Sequence, residues 1–206
     1  MWKKRLKIAA WFALGFCTVA LLVAAIEVQK NKRCSDIQVQ IKGADKHAFI
    51  DRQDVLQLIK QNHGEVNAAV HEINLQQIEN ALVKNSWIQQ AELFFDNKNR
   101  LIVNITEREP VARVFTIAGN SFYIDSSCRR LPLSTKISAR VPMFTSFPDY
   151  QKRMTAPDSA LLSDVKTMAE YIAADSFFTA QVAQVNITPN RKFEIIPLVG
   201  NQLIKI

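Results

Sequence analysis

Residues 85–107 read NSWIQQAELFFDNKNRLIVNITE, and the polar break between its two apolar runs decides the fold of the first module. In the first run Ala91, Leu93 and Phe95 fall on one face, and in the second Leu101, Val103 and Ile105 alternate with their neighbours. A period of two marks a half-buried strand. Asp96-Asn97-Lys98-Asn99 between them is a polar turn of residue types that tolerate left-handed backbone angles. The pair predicts a hairpin.

Immediately upstream, Asn74 is placed as a helix N-cap, Gln77 follows three residues later to close a capping box, and Ile73 and Ile78 form a hydrophobic staple. Leu75, Ile78 and Leu82 make the buried stripe of that helix. An earlier helix is capped by Asp51, buries Val55, Leu58 and Ile59, and stops within residues 62–64. Before it, Ile37, Val39 and Ile41 alternate with Gln38, Gln40 and Lys42 as a strand ending at Gly43. The order β-α-α-β-β over residues 37–107 lays two helices on one face of a three-stranded sheet.

Downstream, Pro110 interrupts the ladder, which places a domain boundary near Arg108. Residues 108–206 are expected to form a second, β-rich domain. Strand-like runs cover residues 111–117 and 122–124, followed by a proline-interrupted stretch through Val141-Pro142. One long helix is predicted between Pro157 and Ala174, with Asp158 near its start and Leu161, Val165, Met168 and Ile172 at helical spacing. Strands resume over 181–187 and 193–198 around a Pro189-Asn190 turn. The apolar run 202–206 is expected to leave a sheet edge open to a strand from another chain. Phe193, Ile195, Leu203, Ile204 and Ile206 are the candidate partner-binding residues; the competing reading makes all five core-facing. A copy that is incomplete after Ile206 is also compatible with this ending.

Toward the N-terminus, residues 8–26 are uncharged, and only Gly15 and Thr18 among them are not hydrophobic. At about 1.5 Å per residue such a helix spans about 28 Å, close to the hydrocarbon thickness of a bilayer. Lys3, Lys4, Arg5 and Lys7 before it orient the N-terminus to the cytoplasm, and Trp2 and Trp11 suit the interface. The expected layout is a cytoplasmic tail over 1–7, a transmembrane helix over 8–28 and a juxtamembrane linker over 29–36. The rival is a cleaved signal peptide with Val23-Ala24-Ala25 at its end, but the apolar stretch exceeds the usual signal length. Either way the bulk of the chain is exported, into a compartment where Cys34 and Cys128 could pair or stay apart. Cys17 reads as an apolar helix residue. The overall class is α+β.

Composition and spacing exclude several functions. The chain has 206 residues, is 48% hydrophobic and 22% charged, and so can build a packed core. Its five glycines are too scattered for a phosphate-binding loop. No C-x-x-C or H-x-x-x-H spacing exists for zinc. The net charge is +7, but four of the 26 basic residues lie before the apolar stretch, leaving 22 against 19 acidic without a basic run. Nucleic-acid binding is therefore not expected. His47, His63 and His71 read as solvated polar residues, and no Ser sits in a nucleophile elbow. Glu107 and Glu109 are read as surface charges flanking Arg108. The asparagines of Asn104-Ile105-Thr106 and Asn186-Ile187-Thr188 fall in predicted strands, so the glycosylation triplets receive no role. No enzyme activity and no cofactor are expected.

The layout and the local sequence resemble the bacterial division family FtsQ/DivIB. The stretch from Asn85-Ser86-Trp87-Ile88 to Thr106-Glu107-Arg108-Glu109-Pro110-Val111-Ala112-Arg113 is similar to that family's passage from a POTRA domain into its second domain. Phe122-Tyr123-Ile124-Asp125, followed by Leu131-Pro132-Leu133, resembles the next segment, with Ser127-Cys128 in a turn where the family often has Gly. The resemblance implies a non-enzymatic scaffold of the divisome at the septum, single-pass in the inner membrane. FtsB-like and FtsL-like bitopic proteins are its implied partners. In the family the main FtsB-binding surface lies on a helix and strand beyond the point matching Ile206. The alternative function is a POTRA-containing secretion or outer-membrane assembly factor.

Overall fold

Alternation in the sequence becomes strand in the computed structural model, which describes residues 2, 11, 13–24, 32–43, 49–62, 64–149, 154–200 and 202–206. Strands β1 (Ile37–Lys42), β2 (Ile88–Phe95) and β3 (Leu101–Glu107) form one sheet in the order β1-β3-β2, with helices α1 (Arg52–Gln61) and α2 (Leu75–Val83) between β1 and β2 in the chain. The β-α-α-β-β order is thus the one the hydrophobic periods dictate. The chain divides into two units. One holds the described residues of Met1–Gln40 with Arg52–Leu82 and Ala91–Asn104; the other holds those of Ile41–Asp51, Val83–Gln90 and Ile105–Ile206.

In the first unit the local signals take their expected geometry. The Asn74 side-chain oxygen accepts the Gln77 amide at 3.0 Å, satisfying one of the donors that a helix start leaves free, and Ile73 and Ile78 are both buried. At the end of α1, Gly64 lies directly against Ile59 and Ile78, and a Cβ there would collide with the Ile59 side chain. Only glycine permits that approach. In the hairpin turn Asn99 is left-handed at φ 57, and Asp96 Oδ1 accepts the amides of Lys98 and Arg100. Cys34 is buried, and its thiol donates to the Asp36 carbonyl. Residues 2, 11 and 13–24 are helical with exposed side chains, Leu14, Phe16, Val19 and Leu21 among them. Among the described residues, no helix is long and apolar enough to cross a membrane.

The second unit is built on seven strands: β4 (Pro110–Thr116), β5 (Ser121–Asp125), β6 (Arg130–Leu131), β7 (Met143–Phe147), β8 (Val182–Ile187), β9 (Phe193–Pro197) and β10 (Ile204–Lys205). Their order is β10-β9-β8-β7-β4-β5-β6. β7 runs parallel to both β4 and β8, and the other pairings are antiparallel. Helix α3 (Ala156–Ala174) buries Leu161, Leu162, Val165, Ala169 and Ile172 with Val114, Phe144, Phe147 and Val185 of the sheet in one core. Its start is a capping arrangement: Thr155 receives the Asp158 amide and donates its hydroxyl to the Asp158 carboxylate at 2.6 Å, with Pro157 in the first turn. Arg191 adds a 2.7 Å ion pair to the same carboxylate. A short helix, α4 (Ser176–Gln181), follows α3 and was not expected from the sequence; Asp175 caps it by accepting the Phe177 amide.

Candidate functional site

Two features of the second unit stand out from its packing, and the first is the β9–β10 edge. Cross-strand partners form a continuous row, Val114–Phe144–Val185–Ile195–Ile204, running from the centre of the sheet to its margin. The first three are fully buried, Ile195 is half-buried, and Ile204 is 48% exposed. The adjacent row, Thr145–Asn186–Glu194–Lys205, is polar. In it the Asn186 side-chain oxygen accepts the hydroxyls of Thr145 and Ser146, and its Nδ2 donates to Glu194, which lies 3.8 Å from the Lys205 ammonium. Main-chain bonds in both directions between Phe193 and Ile206 extend the pairing of β9 with β10.

The five candidate residues divide between two environments. Phe193 and Ile195 are half-buried and pack against the core, Phe193 edge-on to Phe144 at 6.2 Å. Leu203, Ile204 and Ile206 are exposed, as are Leu198 and Val199 just before them. Among the described residues β10 has a neighbouring strand on one side only. The edge thus offers main-chain groups flanked by an apolar row and a polar row.

The second feature is a buried polar and aromatic cluster around the β3–β4 connection. Phe49 stacks on Trp87 at 3.8 Å with their planes 5° apart, and both meet Tyr123 edge-on. The Glu107 carboxylate is buried, and its Oε1 accepts the amides of Phe49 at 2.6 Å and Ile50 at 3.0 Å. This corrects the sequence reading of Glu107 as a surface charge. The signal was present in the alternation itself: Leu101, Val103 and Ile105 point inward, and the same period reaches Glu107. Glu109 is exposed, as read.

Next in the chain, the Arg108 guanidinium pairs with Asp125 at 2.7 Å, with side chains only 10% and 5% exposed, and the Arg108 amide donates to the Trp87 carbonyl. Asp125 Oδ1 also accepts from the Ser127 hydroxyl and from the amides of Ser127 and Arg129. Burial alone would raise the Asp125 pKa, but these donors together outweigh it and hold the carboxyl below its ordinary value. Burial has the upper hand at Glu107, pushing its carboxyl up against the pull of the Phe49 and Ile50 amides, and the charge of Glu109 adds to the rise. A cleft of about 500 Å³ beside the cluster is lined by Lys42, Gln89, Glu109, Ser126 and Ser127 along with Glu107 and Arg108.

Of the residues weighed for chemistry, His71 is exposed near Glu72, while His47 and His63 lie outside the described residues. Among the described residues no group of His, Cys, Asp and Glu is arranged to hold a metal. Cys17, Cys34 and Cys128 are free thiols, and burial raises the pKa of both Cys34 and Cys128, which makes each a poorer nucleophile at neutral pH. Cys128 sits in the turn after β5 with φ 60, a backbone angle that favours glycine.

Residues 32–106 match the POTRA-like domain family, and residues 109–206 match the family described as FtsQ/DivIB, C-terminal related. Together the two matches support an FtsQ/DivIB-family protein. No curated protein matches the sequence. The FtsQ/DivIB chain is thus a mixed α+β protein in which a POTRA-like domain precedes a β-rich C-terminal region. Glu107 and Arg108, whose side chains build the buried cluster, are the two residues between the matches.

Proposed function

We propose that this FtsQ/DivIB-family chain is a membrane-anchored scaffold of the bacterial divisome that links septal proteins through contacts outside the cytoplasm. The observation that carries this reading is the succession of the two family matches, a POTRA-like domain over 32–106 followed directly by an FtsQ/DivIB C-terminal related domain over 109–206. Residues 37–107 and 108–206 are then the working domains, with residues 29–36 as linker. The anchor spans 8–28 behind a cytoplasmic tail of 1–7. It is supported by the helical, outward-facing apolar residues of 13–24 and by the Thr18 hydroxyl, which bonds back to the Gly15 carbonyl and so needs no water.

Docking takes place at the β10 edge. A strand added there gains main-chain hydrogen bonds, while exposed Leu203, Ile204 and Ile206 select its side chains. FtsB-like and FtsL-like bitopic proteins are the partners this reading favours. Because Ile204 is half-exposed, Ile204→Asp is expected to leave the unfolding midpoint within about 0.5 kcal/mol of wild type while abolishing co-purification of those partners. A fluorescent fusion tests the whole reading: it should gather at midcell in dividing cells, and depletion should block septation. Uniform envelope fluorescence with normal division on depletion, or cross-links to nascent outer-membrane polypeptides instead of bitopic partners, overturns it.

A further inference from the structure

Glu107 spends one oxygen on two backbone amides and leaves the other, Oε2, buried with no hydrogen-bond partner among the described residues. A buried carboxylate oxygen carrying charge without a donor is costly, and a neutral carboxyl in the same place costs much less. The two amides belong to Phe49 and Ile50, a short strap whose Phe49 ring covers Trp87 and Tyr123. Phe49, Trp87 and Tyr123 are each at most 6% exposed, so the strap seals an aromatic surface.

We propose that Glu107 is a proton-operated latch on residues 49–51, closing the strap over Trp87 and Tyr123 when its carboxyl is neutral and loosening it when the carboxyl ionises. The surrounding charges favour the neutral form. Arg108, the nearest cation in sequence, is already committed to Asp125, and Asp125 is further held by the turn after β5. Glu109 repels a second negative charge. Lys42 lines the same cleft but is solvent-exposed. At the other end of the strap, Asp51 is paired with Lys136 at 2.8 Å. Asp45, Lys46 and His47 lie outside the described residues. Ionisation is relieved only if solvent reaches Oε2, which is buried in this structure.

The experiment is hydrogen exchange at the Phe49 and Ile50 amides of the full chain between about pH 5 and about pH 8, corrected for intrinsic exchange. Protection in the wild type should fall by about tenfold or more over that range, since each unit of pKa separation is worth a factor of ten. Glu107→Gln keeps an acceptor for both amides and never ionises, so its corrected protection should stay flat. The difference between the two proteins cancels any contribution from His47. Flat protection in the wild type, or an equal fall in both, overturns the latch. Should Glu107→Gln not fold, the wild-type Glu107 carboxyl can be titrated by carbon NMR. A midpoint above the ordinary glutamate value of about 4.3 supports the latch, and one at or below it overturns it.

Discussion

Asp125 and Glu107 are both buried carboxylates, yet they respond to pH in opposite directions because their partners differ. Asp125 is met by a guanidinium and three further donors, so its folded pKa lies below the unfolded one. Its stabilisation is complete above the unfolded value of about 3.9 and drains away as pH falls through the folded value. Urea denaturation of wild type against Asp125→Asn should show the wild-type advantage at neutral pH shrinking in acid. Arg108→Ala strands Asp125 as an unpaired buried charge and should cost about 3–5 kcal/mol. Glu107 has the reverse sign: its folded pKa is raised, so the stability linked to it is full below the unfolded value and is lost as pH rises through the folded one. Inward placement of Glu107 could be read from the alternation of β3, but the Arg108–Asp125 pair could not, since it joins residues that only the tertiary fold brings together.

Elements with local chemistry were the legible ones. Asn74 as a cap, the polar turn at residues 96–99 and the Leu161–Val165–Ile172 stripe each rest on neighbours within a few positions, and each has the geometry its sequence dictates. Asn74→Ala should lower stability by about 1 kcal/mol, read as a shift in the urea midpoint. Gly64→Ala should cost about 1–3 kcal/mol, because the added methyl must displace Ile59 or Ile78. What the sequence did not disclose is non-local or short. The parallel insertion of β7 between β4 and β8 leaves no local mark, and α4 has six residues, too few for a helical period to register. The division of the five edge residues into two packed and three exposed was hidden for the same reason: all five are large apolar residues, and only their place in the sheet or beside its last strand separates them.

At the scale of the molecule, the central row of the large sheet fixes stability, and its margin at β10 is exposed. Phe144 sits fully buried between Val114 and Val185, and Phe144→Ala should cost about 3–5 kcal/mol in calorimetry or denaturant titration. On the proposed reading, removing residues 1–31 should release the protein from membranes without altering the fold of the remainder, which flotation and circular dichroism would check. The chain order carries one more implication. β7 lies between strands formed by residues 110–116 and 182–187, and Phe49 and Trp87 wait for Tyr123 to cover them. Since translation runs from the N-terminus, those two rings lack their third aromatic partner until Tyr123 is made, and β7 lacks one of its two neighbours until Ile187 is made. On the proposed reading, in which residues 108–206 are exported, crossing the membrane is the stage at which this polypeptide most needs a holding chaperone, and a pause before Ile187 is where proteases would find it.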